Sequence, residues 1–379
     1  MSQRPVRVLE VIYRADRAGA ETWLLHALRQ INREDAAIDF VMQDGTPGAY
    51  DAEIQELGSR IFLSDGHRNL WRQFWRLRSV LRRHGPYDVI HSHVDYFGGL
   101  IMLFSRILGV HARIANFHTD SPELTQGKSV TRRVYIGTMK FLVSRFATGG
   151  LATSKVAAAA LFGPDWHSDS RWRVHSACVD LLRFHQPVNR SDVRAELGIP
   201  SDAVVFGHVG RFVEQKNHRF LLRVAQSLAR GSERATFVLV GSGPGKQEFE
   251  RAVRDEGLSH RFFLLGLRDD ISRLMKGAFD FFLFPSHSEG LGLALIEAQA
   301  AGLRCFASTA VPPEAIVIRA LVQRLPLSEG PDCWTEAILQ QIDTPNPITQ
   351  EEALHRVGEV FDIRRNAAQL VEFYQKVTS

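Results

Sequence analysis

Asp280-Phe281-Phe282-Leu283-Phe284-Pro285-Ser286-His287-Ser288-Glu289-Gly290-Leu291-Gly292-Leu293-Ala294-Leu295-Ile296-Glu297-Ala298 is the stretch whose reading decides the fold. Phe281 to Phe284 is a short continuous apolar run, which reads as a buried strand of a parallel sheet. A loop carrying Gly290 and Gly292 follows, and a helix is expected to begin near Leu293. The first N–H groups of such a helix have no intrahelical partner, and its dipole makes that end attractive to anions. Gly290 and Gly292 lack a Cβ, so a phosphate can approach the main chain closely. Glu289 and Glu297 bracket the loop, one before the anion site and one about two turns into the helix on the same side. Carboxylates so placed accept hydrogen bonds from the hydroxyls of a polyol. An anion cradle with hydroxyl acceptors on either side describes a pocket for a nucleotide sugar. Two surface glutamates on an ordinary strand-loop-helix are the alternative for this spacing alone.

Outward from this unit the pattern alternates strands and helices twice over, which argues for doubly wound α/β domains. Strands are expected at Val6–Ile12, Ile38–Met42, Arg60–Leu63, Asp88–His91 and Arg113–Asn116, with a helix over Glu21–Asn32. The polar stretch Gln186 to Asp192 reads as a linker, and Val204–Gly210 opens a second set with Thr236–Val240, Phe262–Leu265, Phe281–Phe284 and Arg304–Ala307. Ligands of open α/β sheets bind beyond the carboxyl ends of the strands.

A chain of 379 residues suggests two domains rather than one. The opening run Val6–Ile12 is too short and too charged for a signal peptide, and Leu100 to Val110 is interrupted by Arg106 and cannot span a bilayer. Cys178, Cys305 and Cys333 form neither a disulfide framework nor a metal site, which favours a reducing cytoplasm. The net charge of +4 is uneven: residues 1–182 hold 23 Lys/Arg against 18 Asp/Glu. The excess gathers in Arg72, Arg76, Arg78, Arg82 and Arg83, within an amphipathic helix that also carries Trp71 and Trp75. A second basic segment runs from Lys128 through Arg132, Arg133 and Lys140 to Arg145. Two readings stay open: core-packed helices with solvated cationic faces, or contact with an anionic membrane. Nucleic acid is disfavoured, since no binding motif accompanies the basic residues.

Gly207-His208-Val209-Gly210-Arg211-Phe212-Val213-Glu214-Gln215-Lys216-Asn217-His218 leaves a strand and enters a helix. Gly210 frees space at the strand end. Arg211 and Lys216 supply a forked donor and a point charge that together can neutralise a diphosphate leaving group. Two unrelated cations on a surface loop are the alternative.

The Pro-Ser-x-x-Glu-Gly-x-x-Leu-x-x-x-Glu-Ala pattern resembles the donor motif of retaining GT-B glycosyltransferases of family four. Gly210-Arg211 through Lys216-Asn217 is similar to that family's Gly-Arg-x-x-x-x-Lys-Asn motif, and Gly241-Ser242-Gly243-Pro244 to its Gly-x-Gly-Pro turn. By the same resemblance, Leu265-Gly266-Leu267 offers backbone groups and the Leu267 side chain to the base. Arg17-Ala18-Gly19-Ala20-Glu21 is similar to the Gly-Gly-Ala-Glu turn near the donor phosphate, with Ala18 in the first glycine's place and closest approach left to Gly19. His118, in His118-Thr119-Asp120, matches the histidine that meets the donor sugar, whereas His91 reads as a packing residue. The family's Asn-Gly-hydrophobic-Asp junction is here Ser176-Ala177-Cys178-Val179-Asp180, and His287-Ser288 stands where an aromatic often precedes the first glutamate.

The resemblance implies two Rossmann-like doubly wound domains facing each other across a cleft. They would be residues 1–184, with a closing helix over 362–379 crossing back, and a donor-binding domain over 185–361. It implies a cytoplasmic retaining hexosyltransferase, peripheral at the inner face of the plasma membrane if the basic helices meet lipid. The donor would be a UDP- or GDP-linked sugar, and the acceptor a polysaccharide or lipid-linked glycan. His118, Glu289, Arg211 and Lys216 would be catalytic. Gly19, Gly210, Leu267, Gly290, Leu291, Gly292, Leu293 and Glu297 would bind the donor. No Asp-x-Asp motif is present, so no metal or cofactor is expected. A nucleotide-sugar epimerase of the same architecture and a non-catalytic partner that binds nucleotide sugar or glycan are the alternatives.

Overall fold

The computed structural model describes residues 4–17, 19–64, 69–118 and 129–378. The chain forms two compact units, Met1–Cys178 with Ile363–Ser379, and Val179–Asp362.

The first unit is built on seven parallel strands: β1 (Val6–Ile12), β2 (Ala36–Met42), β3 (Ile61–Leu63), β4 (Val89–Ser92), β5 (Ala112–Phe117), β6 (Gly149–Ala152) and β7 (Trp172–Val174), ordered β3-β2-β1-β4-β5-β6-β7. Strand order therefore reverses between β1 and β4, where Val11 lies opposite Ser92. Side chains alternate across a strand. Leu9 and Val11 face a core with Leu77 and Val80 of the helix Leu70–His84, Met102 and Phe104 of Gly98–Ile107, and Met139 and Val143 of Val130–Phe146. Glu10 falls on the other face, covered by the helices Gly19–Gln30 and Ile363–Thr378, which bury Trp23 and Tyr374. Asn69 caps the helix Leu70–His84 by accepting from the Arg72 N–H, and Arg82, Arg83 and His84 lie in its last turn, where cations suit the dipole.

The second unit carries six parallel strands: β8 (Val204–Val209), β9 (Ala235–Val240), β10 (Phe262–Leu264), β11 (Phe281–Phe284), β12 (Arg304–Ser308) and β13 (Val322–Leu325), ordered β10-β9-β8-β11-β12-β13. The order reverses between β8 and β11, where Phe281 opposes Phe206 and Phe282 opposes Gly207. All residues of β9 and β11 are buried, as strands of a sheet covered on both faces must be. Phe206 stacks with Phe237 at 5.5 Å and with Phe281 at 5.4 Å, a ladder in which truncating Phe237 to alanine should cost about 3–5 kcal/mol.

Three differences from the sequence expectations have local causes. β6, β7 and β13 escape an apolar-run reading because they are short and hold residues such as Gly149, Gly150, Arg173 and Gln323. The division between units falls after Cys178, not after residue 184, because Leu181 and Phe184 are buried and Lys276 Nζ donates to the Phe184 carbonyl at 2.7 Å. The expected linker 186–192 runs into a helix, Arg190–Leu197, capped by the Asn189 side chain and tied down by Arg194 Nη2 on Asp280 Oδ2 at 2.6 Å.

Candidate active site

In the second unit the loops that leave β8 and β11 are neighbours because those strands are paired. The crevice at such a reversal is where doubly wound sheets hold ligands. The loops are laced together. The His287 N–H donates to the Gln215 carbonyl at 2.8 Å, and Gln215 Nε2 donates to the Ser288 carbonyl at 2.8 Å. Across this seam Lys216 Nζ donates to Glu289 Oε1 at 2.6 Å, while the ammonium also sits 5.1 Å from the centroid of the Phe284 ring. Both side chains are largely buried, so the pair is weakly screened. Asn217 adopts a left-handed backbone and its side chain accepts from the Phe220 N–H, which aims the segment after Lys216 into the helix His218–Gly231.

Gly292 precedes the helix Leu293–Ala300 with φ +94° and no side-chain cap, so the helix N-terminus lies beside Glu289, Gly290 and Leu291 without an internal acceptor for it. Glycine is required here for a different reason from close phosphate approach: φ is left-handed, and a Cβ would stand 3.2 Å from Phe284 Cε1. Glu297 lies one turn into this helix, not two. Its carboxylate has no hydrogen-bond or ion-pair partner among the described residues. Burial pushes its pKa up to about 7, with Arg183 pulling down and Asp180 pushing further up.

The turns after β9 and β10 complete this edge. Gly241 donates to the Gly266 carbonyl at 2.8 Å, and a Cβ on Gly241 would fall 2.0 Å from the Gly210 carbonyl oxygen, so the three loops pack backbone to backbone. Leu267 projects from the β10 turn 54% exposed, an uncovered apolar side chain beside a polar loop. Arg211 is exposed and has no ion-pair partner among the described residues. Thus the structure brings together Gly210, Lys216, Glu289, Gly290, Leu291, Gly292 and Leu293, with Arg211, Leu267 and Glu297 around them.

In the first unit the loops that leave β1 and β4 meet at the corresponding reversal. Gly19 begins the helix Gly19–Gln30; Ala18, Thr119 and Asp120 lie outside the described residues, as does Lys128. His118 follows β5, and behind it is a network the sequence reading did not find. Glu10 is fully buried; its Oε1 accepts from the Tyr374 hydroxyl at 2.7 Å and its Oε2 meets His93 Nε2 at 2.8 Å. His93 Nδ1 meets His118 Nε2 at 2.7 Å, and the two rings stack at 5.1 Å. His91 Nδ1 lies 2.8 Å from the Tyr374 oxygen and 3.3 Å from Glu10 Oε2. Trp23 packs against His93, His118 and His175, and its Nε1 donates to Asn366 Oδ1 at 2.8 Å. Burial alone would raise the Glu10 carboxyl, but the imidazoles of His91 and His93 hold it well below the usual range. Burial and the neighbouring histidines likewise keep the His118 imidazole far below its ordinary pKa. Glu10, His91 and His93 present ligand-type atoms within 4.8 Å of one another. The two Glu10 oxygens are, however, already occupied by Tyr374 and His93, which leaves hydrogen bonding as the organising interaction. A glutamate inside the apolar run Val6–Ile12 was the one sequence signal of this network.

Two family models lie in tandem along the chain: residues 17–183 match Glycosyltransferase Family 4 and residues 189–356 match Glycosyl transferases group 1. EpsF of Bacillus subtilis (strain 168), described as a glycosyltransferase, is 33% identical over 379 residues, which cover 99% of this chain and 97% of that protein. The chain belongs to glycosyltransferase family 4. The UDP-Gal:alpha-D-GlcNAc-diphosphoundecaprenol alpha-1,3-galactosyltransferase of Escherichia coli is 29% identical over 226 residues, 59% of this chain and 58% of that enzyme. The crystal structure of Anabaena HepE in complex with UDP and glucose has a TM-score of 0.80 at 19% identity, covering 98% of this chain and 99% of that one. The fold is therefore the two-sheet GT-B architecture of glycosyltransferases.

Proposed function

We propose that this glycosyltransferase moves a hexose with retention of configuration from a UDP- or GDP-linked sugar to a polysaccharide or lipid-linked glycan. The observation that carries the reading is the Lys216–Glu289 pair, 2.6 Å apart, at the strand-order reversal of the second sheet beside an uncapped helix N-terminus. Arg211, Lys216 and the N–H groups at Leu293 take the diphosphate, whose negative charge grows as it leaves. When phosphate draws the ammonium away, Glu289 is released to accept a sugar hydroxyl. Glu297 accepts from the ribose hydroxyls, Leu267 covers the base, and Gly210 with the Gly290–Gly292 loop leaves room for the phosphates. On the first unit, Gly19 and His118 are assigned to the donor phosphate and sugar. The C1–O bond to phosphate breaks as the acceptor oxygen bonds to C1 on the same face, and the acceptor proton passes to the departing phosphate oxygen. This route needs no separate base.

A lipid-linked acceptor fits the surface of the first unit. Trp71 is 74% and Trp75 55% exposed, with Arg78 stacked 5.0 Å from the Trp75 ring. Val134 and Phe141 are exposed on the basic helix Val130–Phe146. Among the described residues no helix is long and apolar enough to cross a membrane. Reversible contact with an anionic bilayer is therefore the mode assigned. The deciding experiment is a thermal-shift screen of nucleotide sugars, followed by transfer from the radiolabelled hit and determination of the product's anomeric configuration. Inversion of configuration, or no stabilisation by any nucleotide sugar, would remove the proposal.

A further inference from the structure

The network behind His118 fixes more than its position. An ionised carboxylate only accepts hydrogen bonds, so both groups on Glu10 must donate: the Tyr374 hydroxyl to Oε1 at 2.7 Å and His93 Nε2 to Oε2 at 2.8 Å. With its proton on Nε2, neutral His93 has a bare Nδ1, and Asn116 Nδ2 lies 3.4 Å from that same atom as a further donor. His118 Nε2, 2.7 Å away, must then donate to His93 Nδ1. The proton of His118 is turned inward, and Nδ1 is left as an acceptor on the other side of the ring. Trp23 closes over the rings of His93 and His118 at 6.1 and 5.8 Å.

We propose that Glu10 and His93 are positioning residues that hold His118 in its Nε2–H tautomer, so that Nδ1 accepts a hydroxyl hydrogen of the donor sugar. This rests on the placing of His118 at that sugar. A neutral acceptor suits the chemistry, because positive charge develops on the sugar ring as the phosphate leaves and an imidazolium there would oppose it. The titratable groups facing the pair are Glu10 on β1, Glu21 on the helix Gly19–Gln30, His91 and Asp95 at the end of β4, His175 after β7, and Tyr374 on the closing helix. Of these, burial lowers the His175 pKa to about 4 and raises that of Asp95 to about 6.

The test reads the tautomer directly. Histidine labelled with nitrogen-15 in the otherwise unmodified protein at pH 7.5 should show His118 with Nε2 protonated and Nδ1 bare, the resonance being identified by its loss in His118→Gln. In Glu10→Gln the amide can donate to His93 Nε2, which reverses every proton along the line. That variant should shift the His118 tautomer and lower kcat at least tenfold, with the Kd for UDP unchanged within twofold. Turnover is measured with the fastest of UDP-glucose, UDP-galactose, UDP-N-acetylglucosamine and GDP-mannose. Three results would each overturn the proposal: His118 protonated on Nδ1 in the unmodified protein, a shifted tautomer with kcat within twofold, or a fallen kcat with the tautomer unmoved. The first needs no variant to fold. His118→Ala separates the two levels: if it is harmless, the placing of His118 at the sugar fails, whereas if it is damaging while Glu10→Gln is not, only the positioning line fails.

Discussion

Glu297 offers a quantitative handle on the donor site. Its pKa is pushed from 4.5 to about 7, chiefly by burial, and its carboxylate has no hydrogen-bond donor among the described residues. A ribose diol would supply two donors to the ionised form and return the pKa towards its ordinary value. Near pH 7 the free enzyme holds about half a proton on this group, so nucleotide binding should release about half a proton there and close to none at pH 9. Calorimetric titration with UDP in buffers of different ionisation enthalpy measures that number. The nucleotide's own phosphate also exchanges protons, so the quantity to compare is the difference between wild type and Glu297→Gln. Stability gives a second reading of the same shift. The folded pKa lies above the unfolded one, so the folded state binds more protons between pH 4.5 and 7, and stability falls as pH rises through that window. The loss is at most about 3 kcal/mol, and Glu297→Gln should abolish it, leaving the variant more stable than wild type at pH 8. Equal proton release by both proteins, or an unchanged pH slope in the variant, would refute the assignment of Glu297 to the ribose.

Lys216→Ala should lower kcat by about a hundredfold, the effect of removing one preorganised donor. It should also destabilise the fold by leaving Glu289 buried without its partner; Lys216→Ala combined with Glu289→Gln should restore the melting temperature but not the activity. Arg211→Ala, at an exposed position, should reduce turnover with no change in melting temperature. Leu267→Ala should weaken UDP binding about fivefold, equivalent to ~1 kcal/mol, by uncovering one face of the base. Trp71→Ser with Trp75→Ser should abolish flotation with vesicles containing anionic lipid at low salt. Wild-type flotation should itself fade towards 1 M salt, where the Debye length is ~3 Å.

The donor-side motifs were legible because each is local. Strand, glycine-bearing loop and helix follow one another within about twenty residues, and their chemistry is visible in that order. What sequence order hides is contact between distant segments. Glu10 meets Tyr374 across 364 positions, and only the closing helix Ile363–Thr378 brings the hydroxyl to it. His93 stands just past the strand β4, yet its role depends on Glu10 of β1 and on His118, which follows β5. Helical spacing established that the basic segment is amphipathic but not which residues are buried. Gln73, Leu77 and Val80 face inward, while Trp71, Trp75, Arg78 and Arg82 fall on one outward stripe at intervals of three and four residues. A polar stretch looks like a linker unless the buried Leu181 and Phe184 just before it are seen packing on the second unit.

The two strand-order reversals are equipped for opposite charges, and this asymmetry is the strongest physical argument for glycosyl transfer. At the reversal of the second sheet stand Arg211, Lys216 and a helix N-terminus, with Glu289 held as a counterion to the ammonium. At the reversal of the first sheet Glu10 is sealed beneath His93 and Tyr374, and what reaches the outer end of the line is a neutral imidazole. A leaving diphosphate demands positive compensation, and a sugar ring gaining positive charge demands that none be near it. If the histidine line served only to pack the core, the carboxylate would be a poor choice. Its desolvation is offset only by donors whose directions the line then has to obey.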